Sequence, residues 1–153
     1  MTTIGRGALA VLTVMAIAGC SQPEVELADG SGASWDQWRG QWLLVNYWAE
    51  WCAPCRKEIP ELNKLHSDGQ SSVVVLGVNF DGLRGAALTD LMQEMDIRFP
   101  VLVNDPGARW DQPPPTVLPS TLVIDPEGNL RDVLVGPQTY ESLARAVEMT
   151  SEV

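Results

Sequence analysis

The sequence is short of residues that bind metal ions. Among 153 residues it has three cysteines and a single histidine, His66. A structural zinc site takes about four cysteine or histidine ligands, and a copper site needs a set of well-placed histidine or methionine side chains. The sequence supplies neither set, so it predicts no metal site, and we expect His66 to be a plain surface residue.

Basic residues are also scarce. Lysine and arginine number 10 against 20 aspartates and glutamates, which gives a formal net charge of −10. A charge of this sign argues against nucleic-acid partners and against electrostatic binding to anionic lipid. Solubility is the simplest role for this charge, and we expect the protein to be a monomer.

The N-terminal apolar stretch, Ala8–Ala18, is too short for a transmembrane helix, which needs about 17–25 residues. It follows Arg6 and leads into Ile17-Ala18-Gly19-Cys20, which resembles a bacterial lipobox. This pattern predicts a lipoprotein signal peptide over residues 1–19 and a lipid on Cys20. An ordinary cleaved signal and an uncleaved anchor are the alternatives.

The segment after Cys20 lacks a hydrophobic period. Ser21–Ser34 is polar and contains Gly30-Ser31-Gly32. This composition is typical of a flexible linker. We therefore predict a tether over residues 20–34, followed by a folded domain over residues 35–150.

Alternating apolar segments predict that this domain is of the α/β class. Trp42–Trp48 and Val73–Val78 are nearly continuous apolar runs, as in strands that are buried on both faces. The predicted order is a strand at 42–48, a helix at 52–66, a strand at 73–78, a helix at 83–96, a short strand at 100–103, a loop at 105–118, a hairpin of strands at 121–125 and 130–135, and a helix from 139. This order implies a central mixed sheet with a parallel centre, an antiparallel edge and helices on both faces.

Cys52 and Cys55 form a Cys-x-x-Cys pair directly after the first predicted strand. At a helix start, residues three apart lie on nearly the same face, so the two sulfurs can close a small disulfide ring. Unpaired backbone N–H groups and the helix dipole stabilise a thiolate at Cys52, and Pro54 fits the first helical turn. The pair therefore indicates redox catalysis, with Cys52 exposed and Cys55 buried; a static disulfide or a metal site is the alternative.

Four stretches of the chain resemble thiol–disulfide oxidoreductases of the TlpA/ResA type, which have a thioredoxin fold and are anchored to membranes. They are Leu44–Pro60, Val74–Val78, Phe99–Leu102 and Leu118–Asp125. The resemblance implies that Cys52 attacks and Cys55 resolves. It also implies that Pro119 is cis and packs against the disulfide, and that Glu58 is the acid that tunes thiol ionisation.

The surroundings of the pair add further expectations. Asn46 stands where cytoplasmic thioredoxins carry a buried acid, so the proton acceptor must be Glu58 or water. For Glu58, a solvated helix carboxylate is the alternative. We expect Trp51 to line a partner surface, and the dipeptide Ala53-Pro54 to influence the reduction potential.

The expected function is disulfide exchange with partner proteins outside the cytoplasm, with the Cys52–Cys55 disulfide as the redox centre and no other cofactor. By the resemblance, the protein is a reductant that acts on partners such as apocytochrome c and is recharged by a membrane electron donor. A non-catalytic binding lipoprotein and a metallochaperone are the alternatives. A peroxidase is a weaker interpretation, because no third cysteine remains beside the pair.

Overall fold

The computed structural model describes residues 23–68 and 72–148. Its strands are β1 (Val25–Glu26), β2 (Gly32–Ala33), β3 (Trp42–Trp48), β4 (Val73–Asn79), β5 (Val101–Leu102), β6 (Ser120–Ile124) and β7 (Leu130–Val135). Its α-helices are α1 (Ala53–Ser67), α2 (Gly85–Glu94) and α3 (Tyr140–Glu148), and short 3-10 helices lie at Trp35–Trp38 and Gly107–Trp110.

The central sheet has five strands in the order β5-β4-β3-β6-β7. β4 runs parallel to β3 and β5 runs parallel to β4, whereas β6 and β7 pair antiparallel. All seven residues of β3 are buried, as expected for a continuous apolar strand at the centre of a sheet. The predicted mixed sheet with a parallel centre and an antiparallel edge is confirmed.

Alternate residues of β3 point to two different cores. Trp42, Leu44 and Trp48 pack with the apolar side chains of all three α-helices. Leu43, Val45 and Tyr47 pack on the opposite face of the sheet, where the cover comes from the hairpin β1–β2 and from tryptophans of the two 3-10 helices. The helices on the two faces therefore differ in kind: α-helices cover one face, and short 3-10 helices cover part of the other.

The N-terminal segment differs from its prediction. β1 and β2 form an antiparallel hairpin, and Ala28 N–H donates to the carbonyl of Val101 at 2.8 Å. The expectation of a tether was therefore wrong for the residues of this hairpin. Two-residue strands carry no hydrophobic period, and backbone hydrogen bonds to the edge of the sheet hold them in place.

The remaining N-terminal predictions lie outside the described residues. These are the signal peptide at 1–19, the lipidation at Cys20 and the first residues of the tether. In the part of the chain that the structure describes, no helix is long and apolar enough to cross a membrane.

Candidate active site

The cysteine pair lies where the carboxyl end of β3 leads into α1. Cys52 is the N-cap residue of this helix, and Pro54 lies in its first turn. Cys52 and Cys55 form a disulfide with a Cα–Cα distance of 5.3 Å. The backbone N–H of Cys55 donates to Cys52 Sγ at 3.2 Å. The helix start thus offers an otherwise unpaired N–H to the sulfur of Cys52, and such a contact stabilises a thiolate.

The expectation that Cys52 is exposed is wrong for this disulfide form. Cys52 is 3% exposed and Cys55 is 1% exposed, and both belong to the core that contains Ile59 and Leu62. As the N-cap residue, Cys52 turns its side chain back over the helix start, and the disulfide ring holds both sulfurs there. Exposure therefore does not show which of the two sulfurs attacks a partner. The contacts of each sulfur with the start of α1 must decide this.

Glu58 is buried, although it is an ionisable residue on a helix. Its carboxylate accepts two hydrogen bonds, one from Asn46 Nδ2 to Oε2 at 2.9 Å and one from the backbone N–H of Gln138 to Oε1 at 3.0 Å. It lies one helical turn after Cys55, and such a spacing places side chains on neighbouring parts of one face. The alternative of a solvated helix carboxylate is excluded by its 1% exposure.

The environment of Glu58 changes its acidity. Burial raises the pKa of Glu58 from 4.5 to about 7, and the hydrogen bonds from Gln138 and Asn46 offset only part of this effect. Burial disfavours the charged form because water no longer solvates it. A group that titrates near neutral pH can both take and return a proton under physiological conditions.

Asn46 connects the carboxylate of Glu58 to strand β6. Its side chain is buried and donates from Nδ2 to Glu58 and also to Thr121 Oγ1, at 2.9 Å each. Asn46 Oδ1 is buried without a hydrogen-bond partner. Sequence reasoning missed Thr121 and Gln138, since each lies more than 70 residues from its partner and the backbone N–H of Gln138 leaves no sequence signal.

Pro119 lies in the loop that leads into β6. The Leu118–Pro119 peptide bond is cis, and the proline is buried. The carbonyl of Pro119 accepts a hydrogen bond from the backbone N–H of Gly136 at 2.9 Å. This bond joins the residue after β7 to the loop that contains Pro119. Leu118 packs against the core cluster that contains both cysteines.

Trp51 is the exposed side chain beside the pair. It is 64% exposed, donates from Nε1 to the carboxylate of Asp81 at 3.1–3.2 Å and meets the ring of Phe80 edge-on. Ala53 and Pro54 are also exposed. Phe80 and Asp81 were not anticipated from the sequence, since only the pairing of β3 with β4 brings them to Trp51.

A further sequence prediction concerns His66, which is exposed at the end of α1, as expected of a surface residue. Trp48 is fully buried in the core that also contains both cysteines. Within residues 23–68 and 72–148, no group of three or more histidine, cysteine, aspartate or glutamate side chains is arranged to hold a metal ion.

Comparison with known proteins places this geometry in a family. The model of the AhpC/TSA family matches residues 18–133. The chain belongs to the AhpC/TSA family. Among curated proteins, it is 32% identical to the thiol:disulfide interchange protein HelX of Rhodobacter capsulatus, over 87% of this chain and 76% of HelX. It is 27% identical to the thiol-disulfide oxidoreductase ResA of Geobacillus kaustophilus, over 85% of this chain and 76% of ResA.

Solved structures agree with this assignment. A secreted thiol-disulfide isomerase from Corynebacterium glutamicum superimposes with a TM-score of 0.69 at 25% identity, covering 84% of this chain and 83% of its own. A thioredoxin-family thiol:disulfide interchange protein from Chlorobium tepidum gives 0.67 at 26% identity, covering 84% and 97%. This member of the AhpC/TSA family therefore has the thioredoxin fold and is a thiol–disulfide oxidoreductase.

Proposed function

We propose that the protein reduces disulfides in partner proteins outside the cytoplasm. The observation that carries the direction of this reaction is the buried carboxyl of Glu58, one helical turn after Cys55. Once ionised, a carboxylate one helical turn from a cysteine repels the thiolate of that cysteine and so raises the thiol pKa. A strong oxidant needs a stabilised reduced form, and Glu58 acts against such stabilisation. The pair is therefore expected to give electrons readily.

The proposed reaction has two steps. The Cys52 thiolate attacks the partner disulfide, forms a mixed disulfide and releases one partner thiolate. Cys55 then loses its proton to the Glu58 carboxylate and attacks Cys52 Sγ. This step closes the Cys52–Cys55 bond and releases the second partner thiolate, so the partner gains two electrons and the cysteine pair loses two.

The partners are cysteine-bearing proteins. The names of HelX and ResA describe disulfide interchange and thiol–disulfide oxidation and reduction. The resemblance to the TlpA/ResA type favours a specific substrate such as apocytochrome c. Each turnover leaves the pair oxidised, so a membrane electron donor must return two electrons to it.

The location outside the cytoplasm rests on the N-terminal sequence. The run Ile17-Ala18-Gly19-Cys20 supports lipidation of Cys20 after removal of residues 1–19. A lipid would keep the protein at the membrane surface, where an electron donor embedded in the membrane can reach it.

The reduction potential of the Cys52–Cys55 pair tests the proposed direction. Equilibration with dithiothreitol buffers of known potential, read from the fraction of alkylated thiols, gives this value. We expect about −270 mV or lower, in the range of reductants. A value near −120 mV, as for strong oxidants, would reverse the proposed direction.

A further inference from the structure

A cavity of about 190 Å³ lies at the edge of the sheet where the parallel strands β3, β4 and β5 end. Its lining includes Tyr47 near the end of β3, Asn79 at the end of β4 and Val103, the residue after β5. In open α/β sheets, ligands bind outside the carboxyl ends of the parallel strands. The cavity is smaller than the roughly 300–1,000 Å³ of typical small-molecule sites, so it suits a single side chain.

Direct contacts join this cavity to the redox site. Phe80 lines the cavity, and its ring meets the ring of Trp51 edge-on at a centroid distance of 6.1 Å. Trp51 precedes Cys52 in the chain. Asn79 is paired with Trp48 in the register of β3 and β4, and paired residues project to the same face of a sheet. Trp48 belongs to the core that contains both cysteines, so Asn79 lies on the face of the sheet that carries the disulfide.

The side chain of Asn79 brings unused hydrogen-bond donors to the cavity. Its Oδ1 accepts from the backbone N–H of Leu83 at 3.1 Å, whereas its Nδ2 is buried and has no acceptor among the described residues. Asn79 is only 5% exposed, and a buried N–H without an acceptor costs free energy. An occupant that brings an oxygen acceptor to Nδ2 would remove this cost.

Arg84 brings a positive charge to the same cavity. Its Nη2 donates to Oδ1 of Asn104, which is a neutral amide, and the guanidinium has further N–H donors for a ligand. Arg84 is also the N-cap residue of α2, so the positive end of this helix dipole lies beside it. Four other arginines in the described segments pair with carboxylates instead: Arg39, Arg56, Arg98 and Arg131.

The acid that lines the cavity is already engaged by other donors. Asp105 Oδ1 accepts from Tyr47 Oη at 2.6 Å and from the backbone N–H of Gly107 at 2.8 Å. The groups left for an occupant are therefore the Nδ2 of Asn79 and the guanidinium of Arg84. Both are donors, and one of them is charged, so they favour an acceptor that carries negative charge. A carboxylate fits this requirement, because charge-assisted hydrogen bonds to arginine are short and strong.

We infer that the cavity binds a carboxylate of the protein substrate, from an aspartate or glutamate within a few residues of the cysteine that reacts with Cys52. This inference rests on the proposed disulfide exchange with proteins, and it adds a determinant of which cysteine is chosen. Arg84 and Asn79 are the specificity-determining residues, since both donate to the carboxylate oxygens. The resulting preference opposes the net charge of −10, which repels acidic substrates in general.

Matched peptides test this inference. Each carries one cysteine as a mixed disulfide with pyridine-2-thiol, and either glutamate or glutamine at one position about two to four residues before or after the cysteine. The Cys52 thiolate of the reduced full chain attacks the peptide sulfur and releases pyridine-2-thione, whose absorbance gives the second-order rate constant. At one position, or at two neighbouring positions, we expect glutamate to react about fivefold faster than glutamine, a factor within the range of one exposed ion pair. At the other positions the net charge should make glutamate equal or slower.

Arg84→Gln should reduce this preference to about twofold or less, because it removes the charge from an exposed side chain. Arg109→Gln is the matched control. It removes the same charge from an exposed arginine that packs on Trp35 outside the cavity, and it should keep the fivefold preference. Asn79→Asp is a second variant: it keeps an oxygen for the N–H of Leu83 but replaces the donor with an acceptor, so it should also abolish the preference.

Equal rates within every pair of peptides would overturn the inference, and so would an unchanged preference in Arg84→Gln. An equal loss in Arg84→Gln and Arg109→Gln would overturn it too, because the preference would then reflect overall charge. A free carboxylate is the other source of the same chemistry, and isothermal titration with N-acetylglutamate tests it. Binding that Arg84→Gln abolishes, together with equal peptide rates, would assign the cavity to a free carboxylate and not to the substrate.

The outcome is independent of the proposed direction of the reaction. The preference is a ratio of rates for one cysteine pair. A potential in the range of strong oxidants would therefore refute the proposed reductant role without changing the preference, and loss of the preference would leave the potential unaffected.

Discussion

Replacing Glu58 by glutamine removes a buried group that titrates near neutral pH. The substitution keeps the shape of the side chain. The glutamine oxygen can accept from the backbone N–H of Gln138, as Oε1 of Glu58 does. The glutamine NH₂ then needs an acceptor, and Asn46 can supply one by turning its amide so that the unpartnered Oδ1 faces residue 58. We therefore expect Glu58→Gln to fold and to differ from the wild type chiefly in its response to pH.

The size and sign of the effect follow from the pKa of Glu58. In the folded protein burial raises it from 4.5 to about 7, which corresponds to about 3 kcal/mol at ~1.4 kcal/mol per tenfold change in proton affinity. Between these two values the folded state holds a proton that the unfolded state has lost. The free energy of unfolding should therefore fall as pH rises from about 4.5 to about 7, by up to about 3 kcal/mol.

Urea unfolding of the disulfide form at pH 4.5, 6 and 8 measures this contribution. Glu58→Gln should lack this part of the decline and should be more stable than the wild type at pH 8 by about 2–3 kcal/mol. The pH profile of thiol alkylation in the reduced form should also shift, because Glu58 lies one turn from Cys55. Glu127→Gln makes the same change at an exposed side chain and is the control. Parallel pH profiles of wild type and Glu58→Gln in both measurements would refute the reasoning.

Three further substitutions test the packing, the polar network and the anchor. Gly77→Ala should lower the free energy of unfolding by about 1–3 kcal/mol in urea titrations, because an added Cβ would lie 2.9 Å from the buried ring of Phe99; unchanged stability would contradict this tight packing. Thr121→Val removes an acceptor of Asn46 and should cost about 1–3 kcal/mol in the same assay, whereas a neutral effect would show that the bond adds nothing. Cys20→Ala should release the protein from membranes, as measured by fractionation, and undiminished membrane association would rule out the lipid anchor.

Local patterns were enough to predict the elements that support the site. Trp42–Trp48 and Val73–Val78 are apolar throughout most of their length, so β3 and β4 follow from composition alone. The spacing of Cys52 and Cys55 at a helix start predicted that their disulfide can close, because three residues there complete almost one turn. The hairpin β1–β2 escaped prediction, since its strands are too short to show a period.

The polar network around Glu58 depends on contacts that are distant in sequence. Thr121 reaches Asn46 only because β6 pairs with β3 in a register that sets these two residues opposite each other. Gln138 meets Glu58 only when the segment before α3 lies beside α1. Tertiary packing creates these contacts. It also buries the carboxylate of Glu58, which is why the sequence alone could not exclude a solvated position for this residue.

The most direct test of the account is to trap the mixed disulfide. Cys52 Sγ accepts a hydrogen bond from the backbone N–H of Cys55 at the start of α1, and this bond favours the thiolate of Cys52. Cys52 should therefore form the disulfide to the partner, and Cys55 should break it. Cys55→Ser and Cys52→Ser are produced in the native host and separated on non-reducing gels. Cys55→Ser should accumulate a covalent complex with a partner protein, and dithiothreitol should separate this complex by reducing its disulfide. Cys52→Ser should trap little. Equal trapping by both variants, or trapping by Cys52→Ser alone, would contradict the account.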